Sequence, residues 1–180
     1  MANTARVLRS NASSRRYPVK GSAEAIDVGD LVFFEARFQA NTQQFTLRPA
    51  GAGSTGASAA DGRFQFASLF VGVANQRHDL NSFDKNMPIE VDCEIEAIIC
   101  NSVGVATAAT ADIAPGTKVG VAVTGAFVPL NGGKIQIDGH HSVTVADNQA
   151  IGYLSRVVKN GDTSCWVHVQ SMHVFNQTGI

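Results

Sequence analysis

The most regular stretch of the chain is residues 89–99, where apolar residues at 89, 91, 93, 95, 97 and 99 alternate with acidic residues at 90, 92, 94 and 96. Successive side chains of a β-strand point to opposite faces, so this alternation predicts a strand with one buried face and one face of carboxylates. A helix would scatter the same residues around its circumference. The predicted acidic face consists of Glu90, Asp92, Glu94 and Glu96.

Short apolar runs rich in valine, isoleucine and phenylalanine, punctuated by glycine, extend this β pattern through most of the chain. Residues 31–34 form one such run after a turn-like segment, and residues 44–48 could pair with it. Residues 164–175 are also strand-like and include Trp166, which we expect in the core.

Two short patterns recur along the chain. A Val-Gly-Val-Ala motif, with Ile-Gly-Tyr-Leu as a looser copy, occurs at residues 71–74, 103–106, 119–122 and 151–154. A glycine turn that leads into an apolar strand occurs at residues 28–30, 115–117 and 160–162. The irregular intervals exclude a solenoid, whereas similar strands packed into a sandwich or barrel would produce this recurrence.

These patterns predict an all-β fold, a compact β-barrel or β-sandwich of short antiparallel strands with an extended N-terminal arm. Residues 1–23 are the flexible arm, and residues 24–180 are a single β domain. Residues 50–62 are rich in small residues and are predicted to be a flexible loop. No convincing amphipathic helix is found, although residues 75–86 and 106–113 could each hold a short one.

The composition is that of one folded domain. The chain has 180 residues, of which 44% are hydrophobic and 16% are charged, and this excludes a disordered protein. No apolar stretch approaches the ~20 residues that span a bilayer, so we expect no membrane contact. The cysteines lack a CxxC spacing and are expected to be reduced and mostly buried, as in a cytosolic protein; they are Cys93, Cys100 and Cys165.

The formal net charge of −1 hides an uneven distribution. The first 23 residues hold five basic residues and no acidic one, whereas the remainder carries a net charge of −6. The arm could bind nucleic acid, but only one aromatic residue accompanies its basic residues and the acidic body would repel phosphates. We therefore predict no direct nucleic-acid binding and expect the arm to order only on a partner.

The acidic face allows several interpretations. Two neighbouring carboxylates could share a proton as a catalytic pair, and Asp92 with Glu94 would then line a cleft. The same carboxylates could bind a hard cation such as calcium. They could also form an ordinary solvated strand face, or contact the basic arm of another subunit.

Other catalytic and metal-binding patterns are weak. The chain has no G-x-S-x-G, no H-E-x-x-H and no Walker loop. His140 and His141 follow Asp138 and could ligate a metal, but neighbouring residues on a strand point apart, and a polar turn explains them as well. Cys165 lies in a predicted strand, where a buried thiol is inert. We predict no catalytic residues, no metal and no cofactor, and expect that the protein is not an enzyme.

Taken in order, four blocks of the sequence resemble the capsid decoration, or cement, proteins of tailed bacteriophages. Residues 25–32 resemble the opening strand of that family, and residues 70–74 resemble its recurring hydrophobic-Gly-Val-Ala strand. Residues 113–119 resemble its later turn and strand, and residues 151–169 contain blocks similar to its closing strands. The resemblance spans about residues 24–171 as scattered short blocks.

The resemblance implies a structural virion protein that is made in the host cytoplasm, binds the outside of an assembled head and stabilises the shell. Its partner would be the major capsid protein, and it would form a homotrimer or another homo-oligomer. The arm would then bind acidic capsid surface, with the contacts made by Arg6, Arg9, Arg15, Arg16 and Tyr17. The loop at 50–62 and the segment 75–88 depart from the family pattern and leave the docking position open.

A second hypothesis is a β-sandwich module that binds carbohydrate or another small ligand, including one displayed on a virion. Such a module needs exposed aromatic side chains on which a ligand can stack. The chain has one tryptophan and two tyrosines. The exposure of Trp166 distinguishes this hypothesis from the first.

Overall fold

The structure is a computed structural model that describes residues 6–9, 14–19, 25–39, 42–51, 58–80, 88–100, 108–123 and 134–171. For residues 6–9, 36–39, 42–45, 94–100 and 141 the description covers the backbone alone. The strands are β1 (Arg6–Arg9), β2 (Ser14–Tyr17), β3 (Leu31–Gln39), β4 (Thr42–Pro49), β5 (Phe70–Ala74), β6 (Ile89–Asp92), β7 (Glu94–Cys100), β8 (Lys118–Val121), β9 (Ile135–Ile137), β10 (Ala150–Leu154) and β11 (Ser164–Gln170). Helix α1 spans Ala59–Leu69, and two 3₁₀ turns span His140–Ser142 and Asp147–Gln149.

The described strands form two antiparallel sheets, one of them strongly curled. Sheet I has the strand order β1-β7-β11-β10-β8-β9, and sheet II has the order β2-β6-β5-β3-β4. This architecture confirms the prediction of an all-β fold of short antiparallel strands. The predicted pairing of residues 31–34 with residues 44–48 is also confirmed, because Phe34 lies opposite Leu47 in the ladder between β3 and β4.

A unit of five strands occurs twice in this fold. Strands β2 to β6 form the first repeat and strands β7 to β11 form the second. In both repeats the spatial order is first, fifth, fourth, second and third strand, and β1 is added beside the first strand of the second repeat. The chain is therefore an internal duplication with one extra strand at its start.

The backbone hydrogen bonds match between the repeats. Before its second strand, each repeat has a residue that exchanges two hydrogen bonds with the segment after the fourth strand. A glycine three residues later donates its N–H to the last residue of that fourth strand. These residues are Ile26, His78, Gly29 and Ala74 in the first repeat, and Ile113, Val158, Gly116 and Leu154 in the second.

The duplication explains part of the recurrence in the sequence. Residues 28–30 and 115–117 are the same turn of the two repeats, and residues 71–74 and 151–154 are the same strand. The motif at residues 103–106 lies outside the described residues. The turn at residues 160–162 repeats the local geometry of residues 28–30 at a different place in the fold.

One glycine in each repeat permits a close contact between strands. Gly72 and Gly152 lie at corresponding bulges, and a Cβ atom on Gly72 would lie 2.1 Å from the carbonyl oxygen of Asp92. On Gly152 it would lie 2.2 Å from the carbonyl oxygen of His168. No carbon can approach an oxygen so closely without a bond, so the fifth strand can pack against the fourth only where the side chain is a hydrogen.

The predicted strand over residues 89–99 is in fact two strands of different sheets. β6 ends at Asp92 in sheet II, and β7 begins at Glu94 in sheet I. The chain passes from the first repeat to the second at Cys93, whose carbonyl oxygen accepts a hydrogen bond of 2.9 Å from the Ser171 N–H. Alternation reports extended backbone but not the partners of a strand, so the prediction of one continuous strand was wrong.

Sheet II contributes apolar side chains from both of its faces. On one face Phe33 and Phe70 pack with Phe66 of α1 in a main core that also includes most buried residues of sheet I. On the other face lies a second core, formed by Val19, Ile26, Val32, Leu47, Val71, Ala74, Ile89, Val91 and Cys93. Since Val19 and Ile26 precede β3, the N-terminal region completes this second core.

Helix α1 begins inside the predicted loop. Residues 59–62 form its first turn, and Ser58 is its N-cap. The Ser58 hydroxyl accepts a hydrogen bond from the Asp61 N–H and lies 2.7 Å from the Asp61 carboxylate. A serine followed three residues later by an acid is a helix-start signal, and it was outweighed in the sequence by the small residues around it.

The other loop and helix predictions are only partly tested. Ala50 and Gly51 lie in a turn after β4, and residues 52–57 lie outside the described part. Residues 75–80 and 108–113 belong to segments where a short helix was considered, and they are not helical.

We expect Gly72→Ala and Gly152→Ala each to lower the free energy of unfolding by about 3 kcal/mol or more, because a carbonyl oxygen occupies the Cβ position. Gly161→Ala is the matched control, since Gly161 has a positive φ of 92° but no atom near its Cβ position. Its expected cost is about 1–2 kcal/mol from backbone strain alone. Urea unfolding compares the three variants, and equal losses would contradict the close contact.

Candidate functional site

The basic arm runs beside the acidic strands of its own chain. β2 pairs with β6, with Arg16 opposite Glu90 and Ser14 opposite Asp92. β1 pairs with β7, with Arg9 opposite Glu96. Along the chain the arm therefore passes from sheet I to sheet II, antiparallel to the segment that passes from sheet II to sheet I, and the contact considered between subunits is made within one chain.

The charged contact between β2 and β6 is at the surface. The Arg16 guanidinium lies 3.3 Å from a carboxylate oxygen of Glu90, and the Arg16 side chain is 68% exposed. An exposed ion pair of this kind contributes about 0–1 kcal/mol. It therefore helps to align β2 with β6 but adds little to the stability of their pairing. Arg15 is partly buried, and the side chains of Arg6 and Arg9 lie outside the description.

Tyr17 attaches the arm to the body. Its ring packs edge-on against Phe34 with 5.3 Å between ring centroids, and its hydroxyl forms a 3.3 Å hydrogen bond with the Cys93 thiol. Burial raises the pKa of Tyr17 well above its ordinary value, and the bond to Cys93 adds to the shift. The structure thus places Tyr17 against its own chain, whereas most of the Arg16 side chain is exposed.

The four carboxylates do not form one solvent-exposed stripe. Asp92 is only 2% exposed, and its Oδ2 atom has no hydrogen-bond partner among the residues that the structure describes. Burial raises the pKa of Asp92, and the nearby charge of Glu90 raises it further. Glu94 and Glu96 lie in β7, where the side chains are not described. A cleft shared by Asp92 and Glu94 would need an accessible Asp92, so this geometry does not favour the catalytic pair.

Metal binding finds no support among the residues that the structure describes. They contain no group of three or more histidine, cysteine, aspartate or glutamate side chains placed to hold an ion. His140 is buried in a 3₁₀ turn, which agrees with the alternative of a turn. Cys93 and Cys165 are buried, as expected.

A second surface lies on the outward face of sheet I. The rings of Tyr153 and His168 stack at 5.0 Å with an interplanar angle of 19°, and Tyr153 is 37% exposed. Beside them the Arg156 guanidinium lies 3.6 Å from the ring centre of Trp166. Tyr153 also lines a groove of about 310 Å³, together with Lys118, Asp147 and Gln170.

Trp166 is partly buried on this outward face, so its expected place in the core was wrong. The alternation along β11 contained the signal. Cys165, Val167 and Val169 form the buried side of the strand, and Trp166 shares the other side with His168. The large apolar side chain of Trp166 suggested a place in the core, but its position in the alternation puts it on the outward side of the strand.

No helix of the described residues combines the length and the apolar character that a bilayer crossing requires. Comparisons of the chain with protein-family models, with curated proteins and with solved structures found no match.

The buried carboxyls contribute stability that is lost as pH rises from 4 to 7. Burial raises the pKa of Asp30 to about 6 and also raises that of Asp92, so the folded state keeps their protons longer than the unfolded state does. Their stabilising contribution is complete below the unfolded pKa and is lost as pH rises through the folded one. For Asp30 the loss is at most about 3 kcal/mol.

We expect Asp92→Asn to flatten this pH dependence and Asp30→Asn/Asp92→Asn to flatten it further. Urea unfolding at pH 4 and pH 7 measures the change. Asp147→Asn is the control, because that carboxylate is 96% exposed. A double variant that loses as much stability between the two pH values as the natural chain would rule out both carboxyls as the cause.

Proposed function

We propose that the chain is a structural virion protein that binds the outer surface of an assembled tailed-phage head and stabilises the shell. The observation that carries this proposal is the place of the sequence blocks that resemble decoration proteins. Residues 25–32 and 113–119 contain the same bridge, turn and strand start of the two repeats. Residues 70–74 and the start of the 151–169 block are their matching fourth strands.

The blocks that resemble decoration proteins are thus the bridges, turns and strands that the two repeats share. They are not loops that happen to be rich in glycine. A rigid β frame with many backbone hydrogen bonds suits a protein whose task is to resist deformation of a shell. The major capsid protein is the proposed partner, and the capsid exterior is the proposed location. Assembly as a homotrimer or another homo-oligomer is part of the same proposal.

The geometry of the arm favours particular residues for the proposed contact with the capsid. Tyr17 and Val19 are packed against the body, so the arm is attached to the body at a fixed point. Arg16 keeps most of its side chain in solvent although it contacts Glu90. An exposed guanidinium on a fixed strand can exchange this weak pair for a carboxylate of a capsid surface at small cost.

We expect the triple variant Arg6→Gln/Arg9→Gln/Arg16→Gln to bind heads about tenfold more weakly or worse, since three surface ion pairs would be lost. The measurement is co-sedimentation with heads of the encoding phage that lack this protein, with stoichiometry counted against the major capsid protein. The natural chain should sediment at a fixed ratio.

The matched control is Arg77→Gln/Lys134→Gln/Lys159→Gln, which removes the same charge outside the arm. It should sediment like the natural chain. A natural chain that stays in the supernatant would overturn the proposed function, and equal losses by both triple variants would overturn the role of the arm alone.

The outward face of sheet I favours a second candidate, a module that binds a carbohydrate. Tyr153 offers an exposed ring that His168 holds in place, and the adjoining groove contains the Lys118 and Asp147 side chains, whose charged groups lie 3.0 Å apart. Apolar rings with a few fixed polar groups are typical of small-ligand sites. Trp166 lies close enough to report binding, since it shares the face with His168.

We expect a panel of neutral oligosaccharides to include one that changes the tryptophan fluorescence saturably. Tyr153→Ala should abolish that change, because it removes the exposed ring. Phe64→Ala is the control, since Phe64 is an exposed aromatic residue on α1, away from this face. Absence of a response across the panel, or its survival in Tyr153→Ala, would remove this candidate.

A further inference from the structure

A cleft of about 420 Å³ lies where corresponding connections of the two repeats meet. The first repeat joins its third and fourth strands through α1, and the second joins them through the two 3₁₀ turns. The cleft between these connections belongs to neither surface described above. It is lined by Ala59, Ala60, Arg63, Ser142, Val143, Thr144, Ala146 and Gln149.

Arg63 is a buried cation in this cleft. Arg63 is only 8% exposed, and its guanidinium forms no ion pair among the residues that the structure describes. The acids nearest in sequence to the cleft are engaged elsewhere, since Asp61 contacts the Ser58 hydroxyl and Asp147 pairs with Lys118. Burial without a counter-charge lowers the pKa of Arg63, although an arginine stays charged at any ordinary pH.

Gln149 fixes the guanidinium through one edge only. Its Oε1 atom accepts hydrogen bonds from Arg63 Nε at 3.4 Å and from the Ala146 N–H at 3.2 Å. Its amide group donates to the carbonyl oxygen of Ala60 at 3.2 Å. This network holds Arg63 between α1 and the second 3₁₀ turn, and it leaves the two terminal nitrogens of the guanidinium for another acceptor.

The start of α1 adds to the positive character of the cleft. Within the first turn, the Asp61 N–H bonds the Ser58 hydroxyl and the Gly62 N–H bonds the Ser58 carbonyl. Ala59 and Ala60 line the cleft and occupy the first two helical positions, whose N–H groups have no acceptor inside a helix. Such a terminus favours negative charge, and here it coincides with a buried arginine.

We propose that this cleft binds an oxyanion, a phosphate or a carboxylate group of a small ligand, through Arg63 and the first turn of α1. A planar guanidinium binds such groups through two parallel hydrogen bonds. The side chains of Ser142 and Thr144 supply hydroxyl donors at the same cleft. Ser142 has a positive φ of 59°, a conformation that non-glycine residues seldom adopt.

The proposal is tested by titrating the ¹⁵N-labelled chain with sodium phosphate and, separately, with sodium acetate, at constant ionic strength set with sodium chloride. We expect saturable shifts of the Ala59 and Ala60 amides and of Arg63 Nε with at least one of the two. Saturation by phosphate alone assigns a phosphate ligand, and saturation by acetate alone assigns a carboxylate. No saturable shift with either anion overturns the proposal.

Two kinds of variant separate binding from folding. Arg63→Lys keeps the charge but loses the planar fork, and it should weaken binding about tenfold or more. Ala60→Asp leaves Arg63 in place and puts a carboxylate in the first turn, where it suits the helix but repels an anion. It should also weaken binding about tenfold.

Gln76→Glu is the matched control for Ala60→Asp, because it adds one negative charge at an exposed position outside the cleft. It should bind like the natural chain. If Ala60→Asp binds as tightly as Gln76→Glu, the anion is not in this cleft and the proposal fails, whether or not the Arg63 variant folds.

Discussion

The backbone around Cys93 belongs to two sheets at once, and the organisation of the molecule depends on this crossing. β6 closes the first repeat and β7 opens the second with a single residue between them. Because no linker separates the repeats, the second must begin where the first ends. The arm follows the same crossing, with β2 on β6 and β1 on β7. The position of the arm, the pairing of its basic residues with acidic ones and the attachment of Tyr17 are consequences of that geometry.

The two repeats share their strand order and backbone contacts but differ in the connections between their strands. Gly72 and Gly152 preserve one close contact in both, and the bridges at Ile26 and Ile113 preserve another. The connections between the third and fourth strands are free of this constraint, so one is a helix and the other a pair of 3₁₀ turns. The cleft at Arg63 arises from this difference, because α1 lines one side of it and the segment of the 3₁₀ turns lines the other.

Local patterns predicted the strands well and their partners poorly. The alternation over residues 89–99 is a property of extended backbone, and it holds on both sides of Cys93. The change of sheet there depends on Ser171 and on Gly72, which are distant in sequence. Asp92 looks solvent-exposed in the pattern but is buried in the structure, where it lies between Ser14 of β2 and Val73 of β5. The cleft at Arg63 joins residues more than 80 positions apart, such as Arg63 and Gln149, and no local period encodes it.

The pairing of the arm has a consequence for synthesis. A ribosome releases β1 and β2 first, but their partners in β6 and β7 lie roughly eighty residues later in the chain. Such distant contacts carry a high loop-closure entropy and form late. Until then, the edges of β6 and β7 are unpaired, and strand edges of this kind readily join other chains. The first 23 residues hold five basic residues and no acidic one, so the waiting arm has a charge opposite to that of the strands it must find.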